Sequence, residues 1–390
     1  MIINRDKEVN QMIRDLSIKN YRCFEDFYVD GLAQVNLIVG DNNSGKTSFL
    51  KAICLLLDKS YYYKLHNKTT TLIDLLKLRK EFLSLALEDK KKSNIVKVYL
   101  IPHLFYQYKI NKTIEIFCDN DFFSKVEITN LKLEKSKFKN IHLLTTEDEC
   151  FKINYEFKKS NTENKNIRGQ AFYEINQQGT YIQETPENAN QTRLNGIERL
   201  IMYTPDSIFM PLTYDYLDDV EKNWDLIQLT PKEDKVIEAL KIINPDVERI
   251  GFTVSQYTKQ IRLKIKGEEQ PIPLSSMGQG MNRILGLMTT AVILENGVLL
   301  IDEIETGLHY EAQTDMWRLL IKTAQELNVQ IFATTHSWDC ICAFQEALED
   351  IEDKPVGKLF RLDNKYGKLR AVEYKADEIN IAVNQGIEVR

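Results

Sequence analysis

One octapeptide, Gly40-Asp41-Asn42-Asn43-Ser44-Gly45-Lys46-Thr47, constrains this chain more than any other feature. It fits GxxxxGK[ST] at every fixed position. The apolar run Leu37-Ile38-Val39 precedes it, as a buried strand should, and Thr47 to Leu57 carry apolar residues at helical spacing. Glycine at either end lets the backbone curl until its N–H groups face phosphate. Lys46 is placed to reach the β- and γ-phosphates, Thr47 to hold Mg²⁺, and the helix N-terminus to favour an anion. A nucleotide is therefore expected on Gly40, Asn42, Asn43, Ser44, Gly45, Lys46, Thr47 and Ser48.

A second constellation lies far downstream. Val298 to Ile301 read as a buried strand with Asp302 at its carboxyl end, where open α/β sheets bind ligands. Asp302 is the expected Mg²⁺ partner, and Glu303 is placed to polarise the attacking water. An Asp-Glu pair also commonly opens a solvated helix; the phosphate loop in the same chain selects the catalytic reading. The run Val329-Gln330-Ile331-Phe332-Ala333-Thr334-Thr335-His336 ends a further strand, putting His336 where a γ-phosphate sensor stands. His309 reads equally as a loop-packing residue or as part of ATP sensing.

Between these motifs lies PLSSMGQGMNRILGLMTTAVIL, Pro273 to Leu294. Ser275, Ser276, Gly278 and Gly280 lead into an amphipathic helix, which makes a second anion site. A chain with one phosphate loop has little use for another on its own nucleotide. The site makes sense if it caps the γ-phosphate held by another subunit.

The remaining organisation is coarser. The chain has 390 residues, 43% of them hydrophobic, enough for a large core. Net charge is −6, so nucleic acid would have to be met through a partner or a local basic patch. The polar start MIINRDKEVNQ is not that of a signal peptide, no apolar run approaches a membrane span, and six scattered cysteines without a CxxC pair suit reduced thiols. A cytoplasmic protein without membrane attachment is expected. Residues 1–60 and 231–390 read as the two parts of an α/β head, with strand and helix alternating around a largely parallel sheet. Residues 61–230 read as an insertion, helical then β-rich. Thr71 to Lys92 are predicted helical, and from about Ile95 to Gln183 apolar and polar residues alternate as in antiparallel strands.

The order of these motifs resembles that of ABC-type ATPase heads. The chain is similar to the stand-alone AAA-family ATPases of bacteria found in anti-phage defence, close to the ATPase half of the overcoming-lysogenization-defect nucleases, and more distantly to SMC-type heads. The resembling stretches are NYRCFEDFYVDGLAQVNLIVGDNNSGKTSFLKAICLLL, PLSSMGQGMNRIL, LLIDEIETGLHYEAQTDMWRLL and IFATTHSWDC, about a third of the chain. The resemblance implies Walker A at Gly40, Gly45, Lys46 and Thr47, and Walker B at Asp302 and Glu303. It implies the signature at Ser276, Gly278 and Gln279, in this register or one shifted by a residue, with Met277 where transporters carry glycine. It further implies the D-loop at Thr306, Gly307 and Leu308, the switch histidine at His336, and Arg22 near the nucleotide. Gln107 is a candidate Q-loop residue.

What the resemblance implies functionally is an ATP- and Mg²⁺-dependent hydrolase that dimerises head to tail, or assembles further, around shared nucleotides. Lys46, Glu303 and His336 would be the catalytic residues. Its partner would be a separately encoded effector of the Toprim nuclease type in anti-phage defence. The stretch after His336 is short for a Toprim domain and lacks its acidic cluster, so nuclease chemistry is expected elsewhere. The alternative is a DNA-binding repair clamp of the SMC type, with Lys132 to Lys139 and Glu88 to Lys92 as phosphate contacts.

Overall fold

The computed structural model describes residues 12–58, 71–89, 92–119, 123–131, 150–159, 167–176, 181–182, 205–212, 217–254, 259–351, 356–365, 367–387 and 389. Along the chain, β1 (Leu16–Tyr21), β2 (Phe24–Val29) and β3 (Val35–Val39) precede α1 (Lys46–Leu56) and α2 (Thr71–Leu78). Then come β4 (Phe82–Asp89), β5 (Lys92–Tyr99), β6 (Ile114–Asp119), β7 (Phe123–Leu131), β8 (Cys150–Lys159), β9 (Ile167–Asn176) and β10 (Tyr181–Ile182). Next are β11 (Ser207–Met210), α3 (Leu217–Ile227), α4 (Pro231–Lys241), β12 (Val247–Val254), β13 (Lys259–Ile265) and β14 (Ile272–Pro273). The chain closes with α5 (Gly278–Ile293), β15 (Val298–Ile301), α6 (Tyr310–Leu327), β16 (Gln330–Thr334), α7 (Trp338–Glu349), β17 (Gly357–Lys365), β18 (Lys368–Tyr374) and α8 (Ala376–Gln385).

The site is carried by a six-stranded sheet in the order β11-β15-β16-β3-β17-β18, parallel except for β18. Every residue of β3, β15 and β16 is buried, as parallel strands covered on both faces require. Alternation along each strand divides these side chains between two cores. Val35, Leu37, Leu299, Ile301 and Ile331 join one core with α3 to α8. Ile38, Val298, Leu300 and Phe332 join the other with α1 and α2. The fold is thus α/β with a mixed, largely parallel sheet.

The alternating segments form the antiparallel sheet β10-β9-β8-β7-β6-β1-β2. Its join to the N-terminal hairpin is the pairing of Ser17 with Phe117 and Ile18 with Ile116. Ile114, Ile116, Val126 and Ile128 point from it into the second core.

One predicted element is corrected. Thr71 to Lys92 are not one helix: α2 stops at Leu78, and β4 and β5 pair from Phe82↔Tyr99 to Asp89↔Lys92. Lys80 takes the left-handed conformation at φ 56, its N–H donates to Lys77 O at 2.9 Å, and Glu81 N–H donates to Leu76 O at 2.9 Å. This is a Schellman closure. Beyond it Leu83, Leu85 and Leu87 recur at the strand period of two. The Lys132 to Lys139 run lies outside the described residues.

Candidate functional site

The parallel strands deliver three segments to one edge. β3 runs into the phosphate loop, β15 ends at Asp302, and β16, between them, ends at Thr334. In the loop Gly40, Asn43 and Gly45 have φ of 141, 62 and 96, so the chain turns through conformations that favour glycine. A Cβ on Gly45 would lie 2.6 Å from Cys23 Sγ, because the β1–β2 turn presses on the start of α1. Lys46 Nζ donates to Gly40 O at 2.6 Å and to Asp41 O at 2.8 Å, arching over the loop. Burial lowers its pKa to about 8, against the pull of Asp302 and Asp41. Ser44 Oγ is buried and has no hydrogen-bond partner among the described residues. Asn42 is exposed at the mouth and Ser48 is buried one turn inside.

The phosphate loop and the end of β15 meet directly. Thr47 Oγ1 lies 3.0 Å from both Asp302 Oδ1 and Asp302 Oδ2. A hydroxyl beside a carboxylate is a hard oxygen pair, which suits Mg²⁺ completed by substrate phosphates and water. The residues present therefore fit a Mg·nucleotide, whose metal would rest on Thr47 and Asp302 and would neutralise phosphate charge.

Glu303 is held by neighbours that sequence reasoning missed. Its φ is 48, uncommon for a residue with a side chain. Thr334 Oγ1 accepts from Glu303 N–H at 2.9 Å and donates to Asp302 Oδ1 at 2.8 Å, so one hydroxyl registers both acids. The buried Arg283 of α5 donates from Nη2 to Asp302 O at 2.9 Å and to Glu303 O at 3.1 Å. The visible signal for Arg283 was a charged side chain just ahead of the apolar stretch Ile284-Leu285-Gly286-Leu287. For Thr334 there was none, since threonine is ordinary in a strand.

The carboxylate of Glu303 faces the remaining polar groups. His336 Nε2 is 3.8 Å from Glu303 Oε1, and Thr306 Oγ1 is 3.5 Å from Oε2. Glu305 Oε1 accepts from His336 N–H at 3.0 Å, and Ser337 Oγ caps α7 by accepting from Cys340 N–H at 3.2 Å. The turn bearing His336 is fixed on both sides.

Other predicted residues sit elsewhere. Ser276, Gly278 and Gln279 are exposed at the start of α5. They pack beside the Thr306–Leu308 turn: a Cβ on Gly280 would stand 2.8 Å from Gly307 O. Arg22 pairs with Glu81, Nη1 to Oε1 at 3.0 Å and Nη2 to Oε2 at 2.7 Å. His309 is exposed against Tyr310, ring centroids 4.5 Å apart. Gln107 is exposed in a left-handed turn at φ 50.

Comparison with known proteins shows what the chain is similar to. A Helicobacter pylori protein named ATP/GTP phosphatase is 26% identical over 382 residues, 91% of this chain and 94% of its own length. Among solved structures, an Smc head domain with an extended coiled coil, bound to the C-terminal domain of ScpA derived from Pyrococcus furiosus, is 11% identical. It covers 96% of this chain and 99% of that chain, with a TM-score of 0.49. The SMC head domain from Thermotoga maritima is 12% identical, covering 93% and 99%, with a TM-score of 0.41. No helix among the described residues is long and apolar enough to cross a membrane. The sequence profile of the AAA ATPase domain matches residues 12–341, and the chain belongs to that family.

Proposed function

We propose that this AAA-family ATPase closes head to tail around two ATP molecules and uses that closure to control a separately encoded effector. The observation that carries the reading is the placement of α5. Ser276, Gly278 and Gln279 are exposed at its N-terminus. No hydrogen bond joins them to Gly40–Thr47 among the described residues. Five residues further on, Arg283 of the same helix holds the backbone of Asp302 and Glu303. One end of the helix is thus open to a partner's γ-phosphate while its body touches the catalytic acids of its own subunit.

In this reading the loop N–H groups and Lys46 hold the β- and γ-phosphates, and Mg²⁺ bound at Thr47 and Asp302 supplies electrostatic stabilisation. Glu303 accepts a proton from the attacking water, and His336 orients the γ-phosphate beside it. The signature of the partner completes the cradle, so ATP binding assembles the pair and hydrolysis releases it. The effector fits a Toprim-type nuclease in anti-phage defence, because this chain resembles the ATPase half of nucleases of that kind.

The test is the solution mass of Glu303→Gln with ATP and Mg²⁺, alone and after co-expression with the product of the neighbouring gene. A dimer or larger body that retains the neighbour supports the proposal. An ATP-bound monomer overturns the clamp. Assembly without the neighbour overturns the effector reading and turns attention to a clamp on DNA, tested by a salt-sensitive gel shift.

A further inference from the structure

Glu305 lies in the turn that joins β15 to α6, just beyond Glu303. Its Oε1 accepts from the backbone N–H of His336 at 3.0 Å, a partner 31 residues away. Its Oε2 is buried and has no hydrogen-bond partner among the described residues. An acid oxygen kept from water and left unbonded is unfavourable. An apolar side chain would fill this place without that cost, so packing alone does not account for a carboxylate here. What the side chain supplies is an acceptor for the His336 amide.

The same turn has a second face. Thr306 N–H donates to Glu303 O at 3.1 Å and Leu308 N–H donates to Glu305 O at 3.0 Å, so residues 303–308 are tied into one unit. Ile304 N–H donates to Thr334 O at 3.0 Å, which fastens that unit to the end of β16. Its outer part lies against the start of α5. A Cβ on Gly307 would stand 3.3 Å from Gln279 Cβ, and one on Gly280 would stand 2.8 Å from Gly307 O. Its inner part carries Glu303, whose Oε1 is 3.8 Å from His336 Nε2.

His336 is therefore referred to this one turn twice, by its ring through Glu303 and by its amide through Glu305. The ring contact is long and leaves the imidazole free to rotate away. The amide contact is short and fixes the backbone from which the ring projects. A shift of the turn at its α5 face carries Glu305 with it, and Glu305 carries His336.

We propose that Glu305 is a positioning residue for ATP hydrolysis: by holding the His336 amide, it keeps the imidazole beside Glu303. It acts through His336 and takes no part in the chemistry itself. The inference rests on the proposed role of His336 at the γ-phosphate, but not on dimerisation or on the effector.

The experiment is a double-mutant cycle on the turnover of the full chain with ATP and Mg²⁺. Glu305→Met keeps the bulk and removes the acceptor. It is expected to lower the turnover number about 10- to 100-fold with the KM for ATP changed less than about threefold. Glu305→Gln retains an acceptor at the same place and should recover most of that loss, and Glu305→Ala keeps the test sound if Glu305→Met misfolds. His336→Ala should be slow on its own. Adding Glu305→Met to it should slow it less than about twofold further, because residues that act through one group are not additive. Losses that multiply in the double variant, Glu305→Gln as slow as Glu305→Met, or Glu305→Met as fast as wild type each overturn the proposal. Wild-type turnover in His336→Ala overturns it together with the sensor role of His336. An ATP-bound monomer of Glu303→Gln overturns only the clamp, and the cycle can still be read.

Discussion

Thr47 Oγ1 lies 3.0 Å from each carboxylate oxygen of Asp302, although 255 residues separate them. The contact follows from strand order. β16 lies between β3 and β15, and α1, leaving β3, crosses that intervening strand. Thr334, at the end of β16, therefore falls beside Asp302 and within reach of Glu303.

That position makes Thr334 a positioning residue. Thr334→Val keeps the shape but removes the hydroxyl, leaving Glu303 N–H without its acceptor and Asp302 Oδ1 with Thr47 alone. The turnover number is expected to fall about 10- to 100-fold with the KM for ATP changed less than about threefold, as for loss of an orienting contact. Thr334→Ser should recover most of it. Steady-state kinetics with melting temperatures separates this from general destabilisation.

Arg283 supports the same backbone from the other side. Arg283→Met leaves the Asp302 and Glu303 carbonyls without this donor, and Glu303 must keep φ 48 without it. Stability is expected to drop by about 1–3 kcal/mol and turnover by at least about tenfold, while ATP still binds. Denaturant titration with nucleotide-binding isotherms checks both parts.

How much of this was legible in the sequence differs by element. The phosphate loop stood out by its glycine spacing between strand and helix, and its presence singled out Asp302, Glu303 and His336 after the later apolar strands. The helix predicted to Lys92 failed because Phe82 to Asp89 is short and leucine-rich, and the left-handed turn at Lys80 carries no glycine to announce it. Thr334 carried no signal, and Arg283 only a charge ahead of an apolar stretch, for another reason. Their roles depend on which strands become neighbours, and sheet order is not written in local periodicity. Arg22, expected near the nucleotide, is paired with Glu81, a partner 59 residues away that local sequence does not announce.

The buried charge of Lys51 has a signature in stability. Its pKa falls from 10.5 to about 8 on folding. Between those values the unfolded chain binds more protons, so this group makes stability rise with pH. Lys51→Met is expected to exceed nucleotide-free wild type at pH 7 by up to about 3 kcal/mol, with the gap closing from about pH 8 towards 10.5. Paired denaturation curves at pH 7, 8.5 and 9.5 measure the gap directly. A constant gap would show that Lys51 is not held with a lowered pKa.

Gly280 offers a test of the interface that leaves the phosphate loop alone. An added methyl group would meet Gly307 O at 2.8 Å, so Gly280→Ala must displace the Thr306–Leu308 turn or the start of α5. ATP binding to the monomer should persist within about threefold, while ATP-dependent self-association weakens at least about tenfold. Sedimentation velocity with and without ATP distinguishes the two effects.

The composite site is the centre of the account, and complementation in trans tests it most directly. Lys46→Ala removes the loop lysine, and Ser276→Arg blocks the signature; each protein alone should be inactive. In a head-to-tail pair, one mixed site combines an intact loop with an intact signature. An equimolar mixture should recover about a quarter of wild-type ATPase activity, from half the dimers with one working site each. A mixture as inactive as its components, with mixed dimers shown to form, would contradict the shared site.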